Sequence, residues 1–189
     1  MSAVLELTVK DKDGRVVDHR IKKSESFVRG FLELFYVMVG GIGPWGYPVK
    51  NTGGITYDIE HSQYGFHSVG GLGSGLGIVV GTGSTAPTIN DYKLEAQIAH
   101  GTGSGQLSYS AMTFGQPTSD ASISQFTLTR DFTNASGASI TVNEIGWACY
   151  GAAQMNAVLI QAIRDVIAGG IAVGNGQTLT VNYRIQVAV

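Results

Sequence analysis

The sequence contains only one cysteine, Cys149, and this scarcity excludes two kinds of stabilising site. A single thiol cannot form an internal disulfide, nor can it supply the clustered ligands of a cysteine-based zinc site. Its neighbours Trp147 and Tyr150 are typical of a buried strand, so we expect a buried thiol and not a nucleophile. A chain of 189 residues buries about 70% of its surface on folding, which is enough for a core without metals or disulfides.

Charged residues are also scarce. They make up 14% of the chain, against about 25% in typical soluble domains, and the net charge is −2. Because both signs are scattered, nothing here attracts nucleic acid or an anionic membrane, and we expect neither as a partner. Glycine is abundant instead, with 27 residues. A surface with little charge and much glycine is often covered in an assembly, so the composition favours self-association.

Long apolar runs are missing as well. None reaches the roughly 18 residues that a membrane-spanning helix needs, and the longest, residues 27–39, is interrupted by Arg29 and Glu33. The chain opens directly on the alternating pattern of residues 4–10, which predicts no signal peptide. We therefore expect a protein that is made in a cytoplasm and stays soluble.

Apolar and polar residues alternate over much of the chain, and this period of two predicts β-strands. A DKDG turn at residues 11–14 predicts a hairpin over residues 4–21. The clearest alternation runs from residue 179 to the end. Between residues 140 and 149 the apolar phase shifts by one, which predicts a β-bulge near Asn143 and Glu144.

The predicted fold class is mainly β, in a single domain of residues 1–189. Turn signals recur at short intervals after residue 78. Strands of this kind with little helix indicate an antiparallel β-sandwich over residues 78–189, with a jelly-roll-like arrangement.

Residues 26–39 predict one N-terminal apolar helix, with Ser24 or Ser26 as its cap. Arg29 and Glu33 lie four residues apart and share one narrow polar stripe. Nearly all the other side chains are apolar, so this helix has more than one face to cover. Two interpretations remain open: it packs between its own fold and a neighbouring subunit, or it lies entirely within its own fold.

Residues 40–77 combine many glycines with aromatic residues, which predicts a long ordered loop and not a disordered linker. Its aromatic side chains fit a subunit contact, local packing in the loop, or stacking on a sugar. With the helix, they provide the candidates for a subunit interface: Phe27, Phe31, Leu34, Phe35, Met38, Trp45, Tyr47, Tyr57 and Tyr64.

Motifs for catalysis or cofactor binding are weak. The GTGSTA run at residues 81–86 fits a dinucleotide loop, but Pro87 follows it and no βαβ pattern surrounds it. The four histidines lack the spacing of paired metal ligands, and no serine lies in a G-x-S-x-G elbow. We expect no enzymatic activity, no catalytic residues, no cofactor and no metal.

Strand and turn segments spread along the chain carry a family resemblance. They are LELTVKDKDG (5–14), SFVR (26–29), GIVVGTG (77–83), DYKL (91–94), IAHGTGSGQL (98–107), FTN (132–134), ITVNEIG (140–146), IRDV (163–166) and GQTLTVNY (176–183). Together they resemble accessory virion proteins of tailed double-stranded DNA viruses of prokaryotes, such as bacteriophages. The resemblance covers most of the chain outside residues 40–76.

This resemblance implies a structural protein located in the virion and made in the host cytoplasm. Together with the apolar helix, the low charge and the strand pattern, it predicts a protein that decorates or reinforces the particle surface as a homo-oligomer, with a trimer favoured. The expected partners are other virion proteins such as the major capsid protein. One alternative is a tail-tube or baseplate component. Another is a glycan- or receptor-binding module in which Trp45, Tyr47 or Tyr57 stacks on a sugar.

Overall fold

The computed structural model consists mainly of antiparallel β-strands, as the alternating sequence predicts. It describes residues 1–24, 27–43, 46–61, 67, 70–153 and 156–188. The described elements are, in chain order, β1 (Ser2–Lys10), β2 (Val16–Ser24), α1 (Arg29–Gly40), β3 (Tyr47–Lys50), β4 (Thr56–Ile59), β5 (Gly77–Gly81), β6 (Ser108–Tyr109), β7 (Thr113–Phe114), β8 (Thr118–Ser119), β9 (Ile123–Thr133), β10 (Ile140–Ala153), β11 (Asn156–Val173) and β12 (Thr178–Ala188).

The strands of the described residues form three antiparallel sheets. The first has the order β2-β1-β12-β9, and the short strands β6, β7 and β8 all pair with β9. The second sheet has the order β11-β10-β5, and the third is the β3–β4 hairpin. In the first sheet Leu5, Tyr183 and Leu128 stand opposite one another on neighbouring strands, so they form one buried row.

The two larger sheets share one hydrophobic core. Alternate side chains of the first sheet, among them Leu5, Val181 and Phe132, are buried in the same cluster as Ile145 and Ile163 of the second sheet. The period-two pattern arises because successive side chains of a strand point to opposite faces of its sheet. The pattern of β12 therefore follows directly from the burial of one of its faces.

Polar contacts also join the two larger sheets. The Arg130 guanidinium on β9 donates to the carbonyl of Ile78 on β5 at 2.9 Å. Arg20 on β2 donates to the carbonyl of Gly170 on β11 at 2.6 Å. These bonds satisfy carbonyl groups that the strand ladders leave unpaired, which a buried backbone requires.

The N-terminal hairpin and the bulge are present where the sequence predicts them. Asp11 Oδ1 accepts the N–H groups of Asp13 and Arg15, each at 2.9 Å, and Gly14 supplies the positive φ of +81° that closes the turn. The β10–β11 register shifts between Val142 and Glu144.

The helix begins later than predicted, at Arg29 instead of residue 26. Phe27 forms a β-bridge with Ile163, and the Val28 N–H donates to the carbonyl of Ala162 at 3.0 Å. The chain is therefore extended up to Val28, which stands at the N-cap without a side-chain hydrogen bond. The predicted cap Ser24 belongs to β2, and Ser26 lies outside the described residues.

The predicted long loop of residues 40–77 contains a hairpin, β3–β4, that the sequence analysis missed. Asn51 Oδ1 accepts the Ile55 N–H at 2.9 Å, and Gly54 adopts a φ of +82° in the turn. Pro48 and the many glycines hide the short alternation of these strands, because both residue types are typical of loops. The Glu60 N–H then donates to the carbonyl of Ala152, which attaches the hairpin to β10.

Within the described ranges, no helix is long and apolar enough to cross a lipid bilayer.

Candidate subunit-contact face and neighbouring cavity

Helix α1 presents one apolar face to solvent. The exposed fractions are 67% for Leu32, 44% for Phe35, 51% for Tyr36 and 72% for Val39. We call these four residues the exposed helix face. Large apolar side chains that lie together on a surface are typical of an interaction site.

The opposite side of α1 is fixed against β11 by a glycine. A Cβ atom at Gly30 would collide with the backbone carbonyl of Gln161 and with the Ile160 side chain. The absence of a side chain lets the two backbones approach, and Leu34 and Val37 continue the buried stripe one and two turns later. Gly30 therefore determines which residues of the helix remain outside.

An aromatic row extends the exposed helix face in two directions. The rings of Phe31 and Phe35 are nearly parallel, with centroids 6.5 Å apart, and Phe27 contacts Phe31 at 4.5 Å. At the other side, the ring of Tyr36 meets Tyr47 of β3 edge-on at 5.1 Å. Ring contacts of this type hold these aromatic side chains in place beside the exposed helix face.

The predicted contact residues fall into four groups. The prediction of Leu34 as a contact residue is corrected, because Leu34 is 1% exposed and belongs to the core. It shares the buried stripe with Gly30. Phe35 lies on the exposed helix face. Half-buried positions are occupied by Phe27, Phe31, Met38, Tyr47 and Tyr57. Trp45 and Tyr64 lie outside the described residues.

Sequence reasoning missed three members of the exposed helix face, Leu32, Tyr36 and Val39. The phase of the helix was ambiguous because almost every side chain is apolar. Gly30 indicates which side of the helix is buried, because a glycine inside a helix often marks a close packing contact. Counting from Gly30 in steps of three and four gives the buried stripe.

A cavity of about 440 Å³ lies next to α1. Its lining includes Arg29, Glu33, Lys50, Asp91, Tyr92 and Gln161. Arg29 Nε donates to Glu33 Oε1 at 2.5 Å, so these two residues, four apart in the sequence, form an ion pair on the helix. The Lys50 ammonium lies 4.1 Å from the centroid of the Tyr92 ring. The wall of this cavity thus combines charged, amide and aromatic groups.

A buried ion cluster positions one side of the cavity. Arg164 donates to Glu144 Oε2 at 2.8 Å and to Asp91 Oδ2 at 2.7 Å. Glu144 also accepts the N–H groups of Gly83, Glu95 and Ala96. The segment of residues 82–97 is therefore tied to β10 and β11 through one buried carboxylate.

The ion cluster changes the acidity of its members. Burial opposes ionisation of Asp91, but hydrogen bonds from Thr88 and Arg164 together outweigh it and hold the pKa of Asp91 below its usual value. Hydrogen bonds from Thr85 likewise lower the pKa of Glu95. Both groups are therefore carboxylates at neutral pH.

Two ionisable side chains elsewhere in the described chain, Cys149 and Tyr109, are buried in the fold. Cys149 is completely buried, and burial raises the pKa of its thiol, as expected for a strand residue. Burial also raises the pKa of Tyr109 to about 12. Among the residues that the structure describes, no three His, Cys, Asp or Glu side chains are grouped to hold a metal ion.

Comparison with known proteins found no protein family, no curated protein and no solved structure that matches the chain.

Proposed function

We propose that the chain is a structural virion protein that decorates or reinforces the particle surface as a homo-oligomer. The exposed helix face is the observation that carries this proposal. The family resemblance supplies the virion setting, in which contacts with the major capsid protein and its neighbours are expected. The proposal includes no catalytic role.

The proposed fold behind this role is a β-sandwich with a jelly-roll-like arrangement. Two observations support it: side chains from both larger sheets share one core, and Arg20 and Arg130 donate to carbonyls across the two sheets. Sandwiches place their cores between two antiparallel sheets in this way. The outer layer of α1 and the β3–β4 hairpin then remains free for contacts.

We propose a second copy of the same chain as the occupant of the exposed helix face. The helix carries only two charges, Arg29 and Glu33, and they neutralise each other at one end. The face therefore presents no charge that would repel another copy of the chain, whichever surface of that copy it meets. Stable interfaces bury about 800 Å² per partner, so the contact extends beyond four side chains onto the neighbouring hairpin. A trimer is favoured.

Light scattering on purified wild-type protein and two variants tests this contact. We expect Leu32→Asp and Phe35→Asp to shift the mass to that of a monomer without loss of folding, because both side chains are exposed. Leu72→Asp is the matched control: Leu72 is 75% exposed but lies elsewhere, so this variant should keep the oligomer. A monomeric wild-type protein, or an unchanged oligomer in both variants, would contradict the proposal.

Negative-stain images of the same fractions distinguish the two virion positions. Small closed particles favour a decorating protein, whereas rings or tubes favour the tail-tube or baseplate alternative. Mass spectrometry of purified particles tests the virion setting itself, since absence of the chain from them would make that setting wrong.

The glycan-binding alternative receives less support at the predicted residues. Tyr47 and Tyr57 pack partly against the core, and Tyr47 is also in contact with Tyr36. Both side chains are therefore partly covered by the fold.

A further inference from the structure

Lys22 and Asp165 come into contact from strands of different sheets. Lys22 is on β2, at one edge of the first sheet, and Asp165 is on β11, at one edge of the second. Lys22 Nζ lies 3.3 Å from Asp165 Oδ1. A covalent bond between these two side chains would therefore join the two larger sheets at their edges.

Two hydrogen bonds from β2 keep the Lys22 amine beside β11. Lys22 Nζ donates to the carbonyl of Val166 at 3.0 Å, and the Arg20 guanidinium donates to the carbonyl of Gly170 at 2.6 Å. Arg20 and Lys22 point the same way because they are two residues apart on one strand. The amine is thus positioned next to the carboxyl group, and such positioning replaces the high concentration that a reaction between separate molecules needs.

The surroundings of Asp165 favour its condensation with an amine. Its side chain is completely buried, so water does not stabilise the carboxylate as it would in solution. Asp165 Oδ2 accepts a hydrogen bond from the Tyr183 hydroxyl at 2.9 Å, whereas Oδ1, on the side of Lys22, accepts no hydrogen bond within the described chain. Oδ2 can therefore remain as a carbonyl oxygen with its donor in place, and Oδ1 is the oxygen that can leave.

We propose that Lys22 and Asp165 condense to form an intramolecular isopeptide bond. A proton first passes from the Lys22 ammonium to Asp165 Oδ1, which gives a neutral amine and a neutral carboxylic acid. The lone pair of the amine attacks the carboxyl carbon, and the Tyr183 hydroxyl stabilises the negative charge that develops on Oδ2. A second proton passes from the attacking nitrogen to the Oδ1 hydroxyl, the bond from the carbon to Oδ1 breaks, and one water molecule leaves past the partly exposed Lys22 side chain.

The net reaction converts an ammonium and a carboxylate into an amide and water, so it needs no oxidant, nucleotide or other co-reactant. It also replaces a buried carboxylate, which is costly to keep away from water, with a neutral amide. The bond ties the N-terminal hairpin covalently to the second sheet. This inference goes beyond the proposed structural role and does not depend on the oligomer.

Intact-mass spectrometry of the denatured protein tests for the bond. We expect the wild-type mass to fall short of the mass calculated from the sequence by one water molecule, at purification or after storage of the folded protein. Trypsin does not cleave after an acylated lysine, so digestion should yield residues 21–23 linked to residues 165–184. A loss of water confined to residues 13–15, where Asp13 precedes Gly14 and could cyclise, would contradict the proposal.

Lys22→Arg and Lys23→Arg are the matched variants. Both keep the positive charge, but the guanidinium of arginine stays protonated and does not act as a nucleophile. We expect Lys22→Arg to show the full calculated mass, and Lys23→Arg, at the exposed neighbouring position on β2, to lose one water molecule as the wild type does. The proposal is overturned if the wild-type mass still equals the calculated mass after prolonged storage, or if Lys22→Arg also loses water.

Discussion

The Tyr183 hydroxyl on β12 donates to Asp165 Oδ2 on β11 at 2.9 Å, and both side chains are completely buried. Asp165 Oδ1 lies 3.3 Å from Lys22 Nζ, an ion pair without an aligned hydrogen bond, and the ammonium donates to the carbonyl of Val166 at 3.0 Å. Burial, followed by the charge and hydrogen bond of Asp165, raises the pKa of Tyr183 well above its usual value. The phenol therefore remains a donor across the neutral pH range.

We expect Tyr183→Phe to lower the free energy of unfolding by about 1–3 kcal/mol, because it leaves a buried carboxylate oxygen without its donor. Urea denaturation measures this change. Tyr36→Phe is the matched control, since Tyr36 is on the surface and its hydroxyl is not needed by a buried group. Equal stability of the two variants would contradict the prediction.

Glu144→Gln should destabilise the fold more strongly. The Glu144 carboxylate is completely buried and accepts four hydrogen bonds, one of them from Arg164. Breaking a buried ion pair from one side costs about 3–5 kcal/mol. Chemical denaturation gives the loss in stability, and hydrogen exchange should accelerate in residues 82–97. Glu95→Gln, at an exposed position, should lower the stability much less. An equally large loss of stability in Glu95→Gln would contradict the role assigned to Glu144.

Stability should fall with acidification, in part through Asp91. The pKa of Asp91 is lower in the folded protein than its usual value of about 3.9, so its contribution is present above that pH. It is lost as the pH decreases from there through the folded pKa. Glu95, also with a lowered pKa, and the neighbouring Arg164 belong to the same cluster.

The Asp91→Asn variant isolates this contribution. It removes the titrating group, so its urea midpoint should depend less steeply on pH below about 4 than that of the wild type. Identical pH profiles for the two proteins would show that Asp91 does not couple to folding.

Gly30→Ala should destabilise the protein even though alanine favours helices. In an exposed helix this change stabilises by roughly 0.5–1 kcal/mol. Here the added Cβ collides with the Gln161 carbonyl, and we expect a loss of about 1–3 kcal/mol from overpacking. Gly40→Ala, at the end of the same helix, meets only the flexible tip of Ile42 and should be neutral or stabilising. Thermal denaturation compares the two variants, and a stabilised Gly30→Ala would contradict the packing.

Part of the candidate site was predictable. The many apolar residues at positions 27–39 predicted a helix that contacts another subunit, and Phe35 is one of its exposed residues. The choice of Leu34 was wrong because an apolar side chain satisfies the core and a partner equally well, so composition alone does not set the phase. Neither Glu33 nor Gln161 was recognised as part of a cavity, since nothing in the local sequence shows that a polar residue lines one.

The strands β1, β2 and β12, the DKDG turn and the bulge near Asn143 and Glu144 could be predicted from the sequence alone. These features depend on neighbours a few residues apart, because the alternation of side chains is a property of each strand alone. The local pattern did not predict that β1 pairs with β12, or that Arg164 contacts Glu144 and Asp91, which lie 20 and 73 residues away in the sequence. Such contacts form because distant segments bury their apolar faces together, and that burial is a property of the whole chain.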